Sequence, residues 1–136
     1  MPLNAFEKEI LKASEKHGVN FDSVLEIIRT MRREDEPLFF LIGSGVPEVP
    51  DSKFSVIVAD DECIRGFDFK VSNTFSITSI PRRQVTNLLF HKMETHIRLM
   101  LNASVLGWGI LLNCPLEREN ECLLFNSKLD KYIRQI

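Results

Sequence analysis

Three cysteines, Cys63, Cys114 and Cys122, and three histidines, His17, His91 and His96, are the residues of this 136-residue chain best suited to metal or nucleophilic chemistry. A structural zinc ion takes four Cys or His ligands in a tetrahedron. Cys114 and Cys122 can supply two of them if they flank a turn. His91 and His96 stand five residues apart. On a helix they diverge by about 140° and need a third element to complete a site. His96 falls on an apolar stripe, where a hydrogen-bonded core histidine is the economical reading. A cysteine nucleophile needs a base within reach and electropositive surroundings. Cys63 instead follows Asp60, Asp61 and Glu62, and Cys114 has no basic neighbour in sequence. Divalent cations need several oxygens around one point. Three consecutive acids cannot all converge, so Asp60-Asp61-Glu62 reads as a solubilising turn. Gly43-Ser44-Gly45 follows a strand-like run but precedes no helix start, so a phosphate cradle is unsupported. No Gly-x-Ser-x-Gly elbow, Walker loop, dinucleotide fingerprint or His-Glu-x-x-His is present. The expectation is no catalytic residue, no metal and no cofactor.

Contact chemistry is better represented. Residues 1–36 carry 6 basic and 8 acidic side chains, 37–80 carry 3 and 6, and 81–136 carry 8 and 5. The C-terminal part is therefore the basic one. Arg82 and Arg83 open a helix-like stretch at the end where the helix dipole disfavours cations, a placement that can mark an acidic partner. Phe90 lies off the apolar stripe of that stretch, with Lys92 and Glu94 as surface neighbours. Ten Phe against one Tyr is a large aromatic load for a small core, and surplus apolar surface goes to an interface. Arg82, Arg83, Phe90, Lys92 and Glu94 are the expected partner-binding residues.

The elements that must position these residues follow from periodicity. Leu3, Phe6, Ile10 and Ala13 recur at helical spacing, with Asn4 as N-cap, Glu7 at the capping-box position and Gly18 as the stop. Phe21, Val24, Leu25, Ile28 and Met31 form a second stripe, capped by Asn20 or Asp22 and stopped at Glu34-Asp35-Glu36-Pro37. Beyond Pro37 the period falls to two. Residues 38–42, 54–58, 67–71 and 74–78 read as strands, with a loop at 43–50 and a turn at Asn73. Val85, Leu88, Leu89, Met93, His96, Ile97, Met100 and Leu101 trace a stripe that predicts one long helix covering the aromatic face of this meander. Residues 107–112 and 122–125 predict a hairpin across the turn at 117–120. Leu129, Tyr132, Ile133 and Ile136 predict a terminal helix.

The expected fold is a single α+β domain over 1–136. It comprises a helical hairpin at 1–35, an antiparallel β-meander at 37–80, a long helix at 82–102, a β-hairpin at 106–126 and a terminal helix at 128–136. That order of elements is loosely similar to small acidic secretion chaperones, a likeness that implies a dimeric binding protein and is carried by no residue motif.

Composition bounds the rest. With 44% hydrophobic residues the chain can build a core, and a net charge of −2 is not that of a dedicated nucleic-acid binder. The opening MPLNAFEKEILKASEKHG has no apolar run of signal-peptide length, and no window approaches the roughly 20 apolar residues of a membrane span. An odd count of three cysteines fits free thiols in a reducing, cytoplasmic setting. The leading expectation is a small soluble non-enzymatic binding or regulatory protein acting through protein–protein contacts, as a homodimer. The alternative is a nucleic-acid-binding regulator whose N-terminal pair acts as a helix-turn-helix through Arg29, Arg32 and Arg33. Asp22 and Glu26 on the same helix would repel phosphate. A third reading is an enzyme with a pocket between the sheet and the 43–50 loop.

Overall fold

A computed structural model describes residues 2–31, 36–71, 74–105 and 107–134. The chain opens with α1 (Ala5–His17) and α2 (Phe21–Met31). The N-terminal capping box is formed: the Asn4 side chain accepts the Glu7 N–H and the Glu7 carboxylate accepts the Asn4 N–H. Gly18 closes α1 at φ 68°, a left-handed conformation that glycine adopts without steric cost. The Ser23 N–H donates to Asn20 Oδ1 at 3.0 Å, which starts α2.

Four strands follow: β1 (Phe39–Ser44), β2 (Ser52–Ala59), β3 (Cys63–Lys70) and β4 (Phe75–Pro81). They form the expected antiparallel meander. A short 3-10 turn at 82–84 leads into β5 (Val85–Lys92), β6 (His96–Ala103) and β7 (Gly109–Pro115). After a second 3-10 turn comes α3 (Glu119–Arg134). All seven strands belong to one curled sheet in the order β4-β3-β2-β1-β7-β6-β5. Its two halves meet where β7 pairs with β1 at Ser44 and Asn113.

The long helix expected over 82–102 is absent; a β-hairpin stands there. The stripe fitted to it skipped Leu99. With Leu99 included, Ile97, Leu99, Leu101 and Ala103 are all buried and alternate with Arg98, Met100 and Asn102. That is period two, and it decides between the readings. A bulge between Val85 and Asn87 breaks the alternation in β5, which let the helical template match. The C-terminal hairpin is also replaced. Only its first strand, β7, exists, and residues 122–125 are helical. Cys122, Phe125, Leu129 and Tyr132 form one buried stripe of α3, continuous with the tail that was expected to be a separate helix. The element order that resembled secretion chaperones thus lacks its central helix.

The sheet has two apolar faces. Phe54, Val56, Phe67 and Phe69 face α1 and α2, packing with Phe6, Ile10, Val24 and Ile28. The aromatic face therefore does have a cover, supplied by the N-terminal helices. The opposite face curls around a second cluster in which Leu41, Ile57, Ile64 and Ile80 meet Leu99, Ile110, Leu112 and the inner face of α3. Gly66 permits this crossing, because a Cβ there would stand 2.6 Å from Ile110 Cγ2.

Candidate functional site

Pairing across β5, β6 and β7 sets three rows of side chains on the outer face of that half-sheet. The central row is Leu89, Met100 and Leu111. One flank is Asn87, Asn102 and Gly109, where Asn102 Nδ2 donates to Asn87 Oδ1 at 2.8 Å. The other is His91, Arg98 and Asn113. Arg98 Nε donates to Asn113 Oδ1 at 2.9 Å and its Nη2 to Glu48 Oε1 at 2.6 Å. That hydrogen bond from Arg98 holds the Glu48 carboxyl below its usual range. None of the three apolar side chains joins either buried cluster. Leu89 remains 38% exposed and Met93, in the turn just past β5, 44%. An apolar centre with a hydrogen-bonded polar rim is the anatomy of a protein interface.

The residues singled out from sequence lie near this surface but do different work. Phe90 points inward and packs half-buried against the second cluster. Lys92 pairs with Glu119 at the start of α3, at 2.9 Å. Arg82 braces the other end of that helix, with Nε on the Tyr132 carbonyl at 2.7 Å and its guanidinium 4.0 Å from the Tyr132 ring centre. Arg83 and Glu94 are exposed, the one in the turn before β5 and the other in the turn after it. Leu89, Met100 and Leu111 went unrecognised because residues 82–102 read as a helix; the alternation in 96–103 was the available signal.

A cleft of about 190 Å³ opens where β7 crosses β3 and β4, beside the 43–50 loop. Ser55, Asp68, Ser76 and Thr78 line its sheet side, and Val46, Val49, Ile110 and Leu111 form apolar walls. A short relay fixes Asp68. The Val46 N–H donates to Ser52 Oγ at 2.8 Å, and Ser52 Oγ donates to Asp68 Oδ1 at 2.7 Å. Ser55 Oγ donates to the same oxygen at 2.9 Å. Asp68 Oδ2 is buried with no hydrogen-bond partner among the described residues. A second crevice, of about 270 Å³, lies between α1, the end of β1 and the start of α3. Of the cations that line it, Lys12 pairs with Glu9 at 3.3 Å within α1, and Arg118 pairs with Glu121 of α3 at 2.9 Å.

Cys63, Cys114, Cys122 and Asp60 are engaged within the fold. Burial pushes the Cys63 thiol up, and the adjacent Asp60 carboxylate adds to this against Arg65. Cys114 and Cys122 do meet, across β7 and α3 rather than across a hairpin, and both are buried. Their mutual hydrogen bond and burial keep Cys114 protonated. Asp60 is buried and accepts the N–H groups of Glu62 and Cys63 at 2.9 and 2.8 Å, as well as the Arg65 guanidinium. Among the described residues no group of three His, Cys, Asp or Glu side chains could hold a metal ion. Of the cations considered for nucleic acid, Arg29 is clamped by buried Glu7 at 2.7 and 3.2 Å. Arg32 and Arg33 lie outside the described residues.

Among the described residues no helix is long and apolar enough to cross a membrane. Comparison with protein families, with curated proteins and with solved structures finds no match.

Proposed function

We propose that this chain is a small non-enzymatic protein-binding module that self-associates through the outer face of β5, β6 and β7, in a reducing, cytoplasmic compartment. The observation that supports the reading is the Leu89–Met100–Leu111 row, an apolar cross-strand row whose side chains join neither buried cluster. An isologous contact would lay the row of one copy on that of a second, burying both at once. The Arg98–Glu48 pair and the Asn87–Asn102 bond would form its rim. The part-buried Cys63 thiol, pushed up by desolvation and the adjacent Asp60 carboxylate, is a poor nucleophile. The clamp on Arg29 favours a helical hairpin over a DNA-reading one.

The test is the mass in solution of Leu89→Lys beside the parent chain. Leu89 is on the solvent side of β5, so circular dichroism should show parent and variant both folded. The reading requires that the parent be a dimer and the variant a monomer. A folded variant with the parent's dimeric mass would remove this face from consideration.

A further inference from the structure

We infer that the second copy docks along the open edge of β5, strand against strand, with the two-fold axis passing between the Leu89 residues of the two chains. The inference rests on the self-association proposed above and adds the backbone to that contact. β5 is an end strand of the sheet, and none of its residues is fully buried. The direction of its backbone groups follows from the hairpin turn, where the Met93 N–H donates to the His96 carbonyl at 2.8 Å. In an antiparallel pair, residues that exchange hydrogen bonds alternate with residues that do not. Counting back from Met93 and His96, the bonded pairs are His91 with Arg98, Leu89 with Met100 and Asn87 with Asn102. The other side of β6 agrees. There the Ala103 N–H donates to the Trp108 carbonyl, so Ile97, Leu99 and Leu101 turn their backbone groups to β7 and leave Arg98, Met100 and Asn102 for β5. Leu88, Phe90 and Lys92 therefore point their N–H and C=O groups away from the sheet. None of them has a backbone partner on that side among the described residues.

A row of free backbone groups at strand spacing is a template for another strand. The devices that guard such an edge lie at the two ends of β5. The bulge is confined to Val85–Asn87, and the Lys92 ammonium is drawn to Glu119 at 2.9 Å. Between them stand Leu88, Leu89 and Phe90. The occupant follows from matching this edge to itself. An antiparallel pairing centred on Phe90 would set Leu88 opposite Lys92 and Leu89 opposite His91. One centred on Leu88 would set Phe90 opposite Thr86, inside the bulge, and Leu89 opposite Asn87. Centred on Leu89, the pairing sets Leu88 opposite Phe90, Leu89 opposite Leu89, Asn87 opposite His91 and Lys92 opposite Thr86. Apolar then meets apolar and polar meets polar on both faces, and no like charges are opposed. Leu88 and Phe90, half-buried against the second cluster, gain a neighbour on their open side. Leu89 falls at a position without backbone bonds, where facing side chains stand closest. The Leu89–Met100–Leu111 rows of the two copies come together at that point.

The experiment measures amide hydrogen exchange, residue by residue, in the isotopically labelled full chain. The references are the dimeric parent and monomeric Leu89→Lys. If that variant does not fold, the parent diluted until its mass is that of one chain takes its place. The amides of Leu88 and Phe90 should exchange at least about tenfold more slowly in the dimer than in the monomer. Those of Leu89 and His91, which face β6, should be protected in both. In a dimer of labelled and unlabelled chains, isotope-filtered NOEs should join the Leu88 methyls of one chain to the Phe90 ring of the other. Filtered contacts between the two Phe90 rings in place of these would overturn the register. A dimeric parent whose Leu88 and Phe90 amides exchange as fast as in the monomer would overturn the inference and leave self-association standing. A parent that is monomeric at every concentration would remove that reading, and this inference with it.

Discussion

The crossing of β7 over Gly66 holds both the second core and the cleft in place, and a double-mutant cycle tests it. In Gly66→Ala the new methyl would stand 2.6 Å from Ile110 Cγ2 and 3.1 Å from Cγ1. Relief is difficult. Ile110 is almost fully buried, its β-branched side chain has few rotamers, and β7 is tied to β6 and, at Asn113, to β1. Overpacking of this kind costs about 1–3 kcal/mol. Ile110→Ala alone leaves a cavity and should cost about 2–5 kcal/mol. Together the two changes relieve each other: the Gly66→Ala methyl then points into the space that Ile110 filled. Its cost in that background should fall to about zero, or turn into a gain of up to about 1 kcal/mol, because alanine restricts the unfolded chain more than glycine does. The assay is urea unfolding of the four proteins. A coupling of about 1–3 kcal/mol is expected. Costs that simply add, within about 0.5 kcal/mol, would mean that β7 does not cross there.

Three further outcomes are expected. Asp60→Asn should destabilise the chain by about 3–5 kcal/mol, because it leaves the largely buried Arg65 guanidinium without its counter-charge; urea unfolding measures it. Burial pushes the Asp60 carboxyl up, but the N–H groups of Cys63 and Glu62 and the Arg65 guanidinium outweigh it and hold it below the ordinary Asp value. Its contribution is therefore full above about pH 4 and should disappear as the pH falls through the lower folded value, a loss that the Asn variant should not show. His17 is shifted the opposite way in effect: burial, aided by Lys16 and Lys53, pushes its imidazole below the ordinary range. As the pH falls below about 6.5 the unfolded chain takes up a proton that the folded one resists, so stability drops; His17→Gln should flatten that slope in unfolding titrations.

How much of this was legible in the sequence depended on the range of the interactions. The α1 cap was readable because Asn4, Glu7 and Gly18 satisfy local backbone groups. Strands β1 to β4 were readable because Phe67 and Phe69 alternate with Asp68 and Lys70, and Pro37 marks the change of period. Residues 82–102 were misread because Val85, Leu88, Leu89, Met93, Ile97, Met100 and Leu101 satisfy a helical template, while the bulge near Thr86 hides the alternation. The apolar row could not be read without that hairpin, since Leu89, Met100 and Leu111 become neighbours only through strand pairing. The Asp68 relay has the same character. Ser52, Ser55 and Asp68 are unremarkable alternating polar residues until β2 and β3 pair, and until β7 closes over them. On a helix over 82–102 Phe90 would be an exposed contact; on a strand its neighbour Leu89 takes that place.

Self-association through the Leu89–Met100–Leu111 face is the central claim, and absolute mass by light scattering on a sizing column tests it most directly. With Leu89 still 38% exposed, about two-fifths of the roughly 1.5–3 kcal/mol of a buried leucine is available in each copy. Two-fold symmetry counts it twice, so Leu89→Ala should weaken the dimer by roughly 10- to 50-fold and the Lys substitution by more. The account predicts twice the 15.7 kDa chain mass for the parent and the single-chain mass for folded Leu89→Lys. A parent chain that elutes at 15.7 kDa across the concentration range would contradict it.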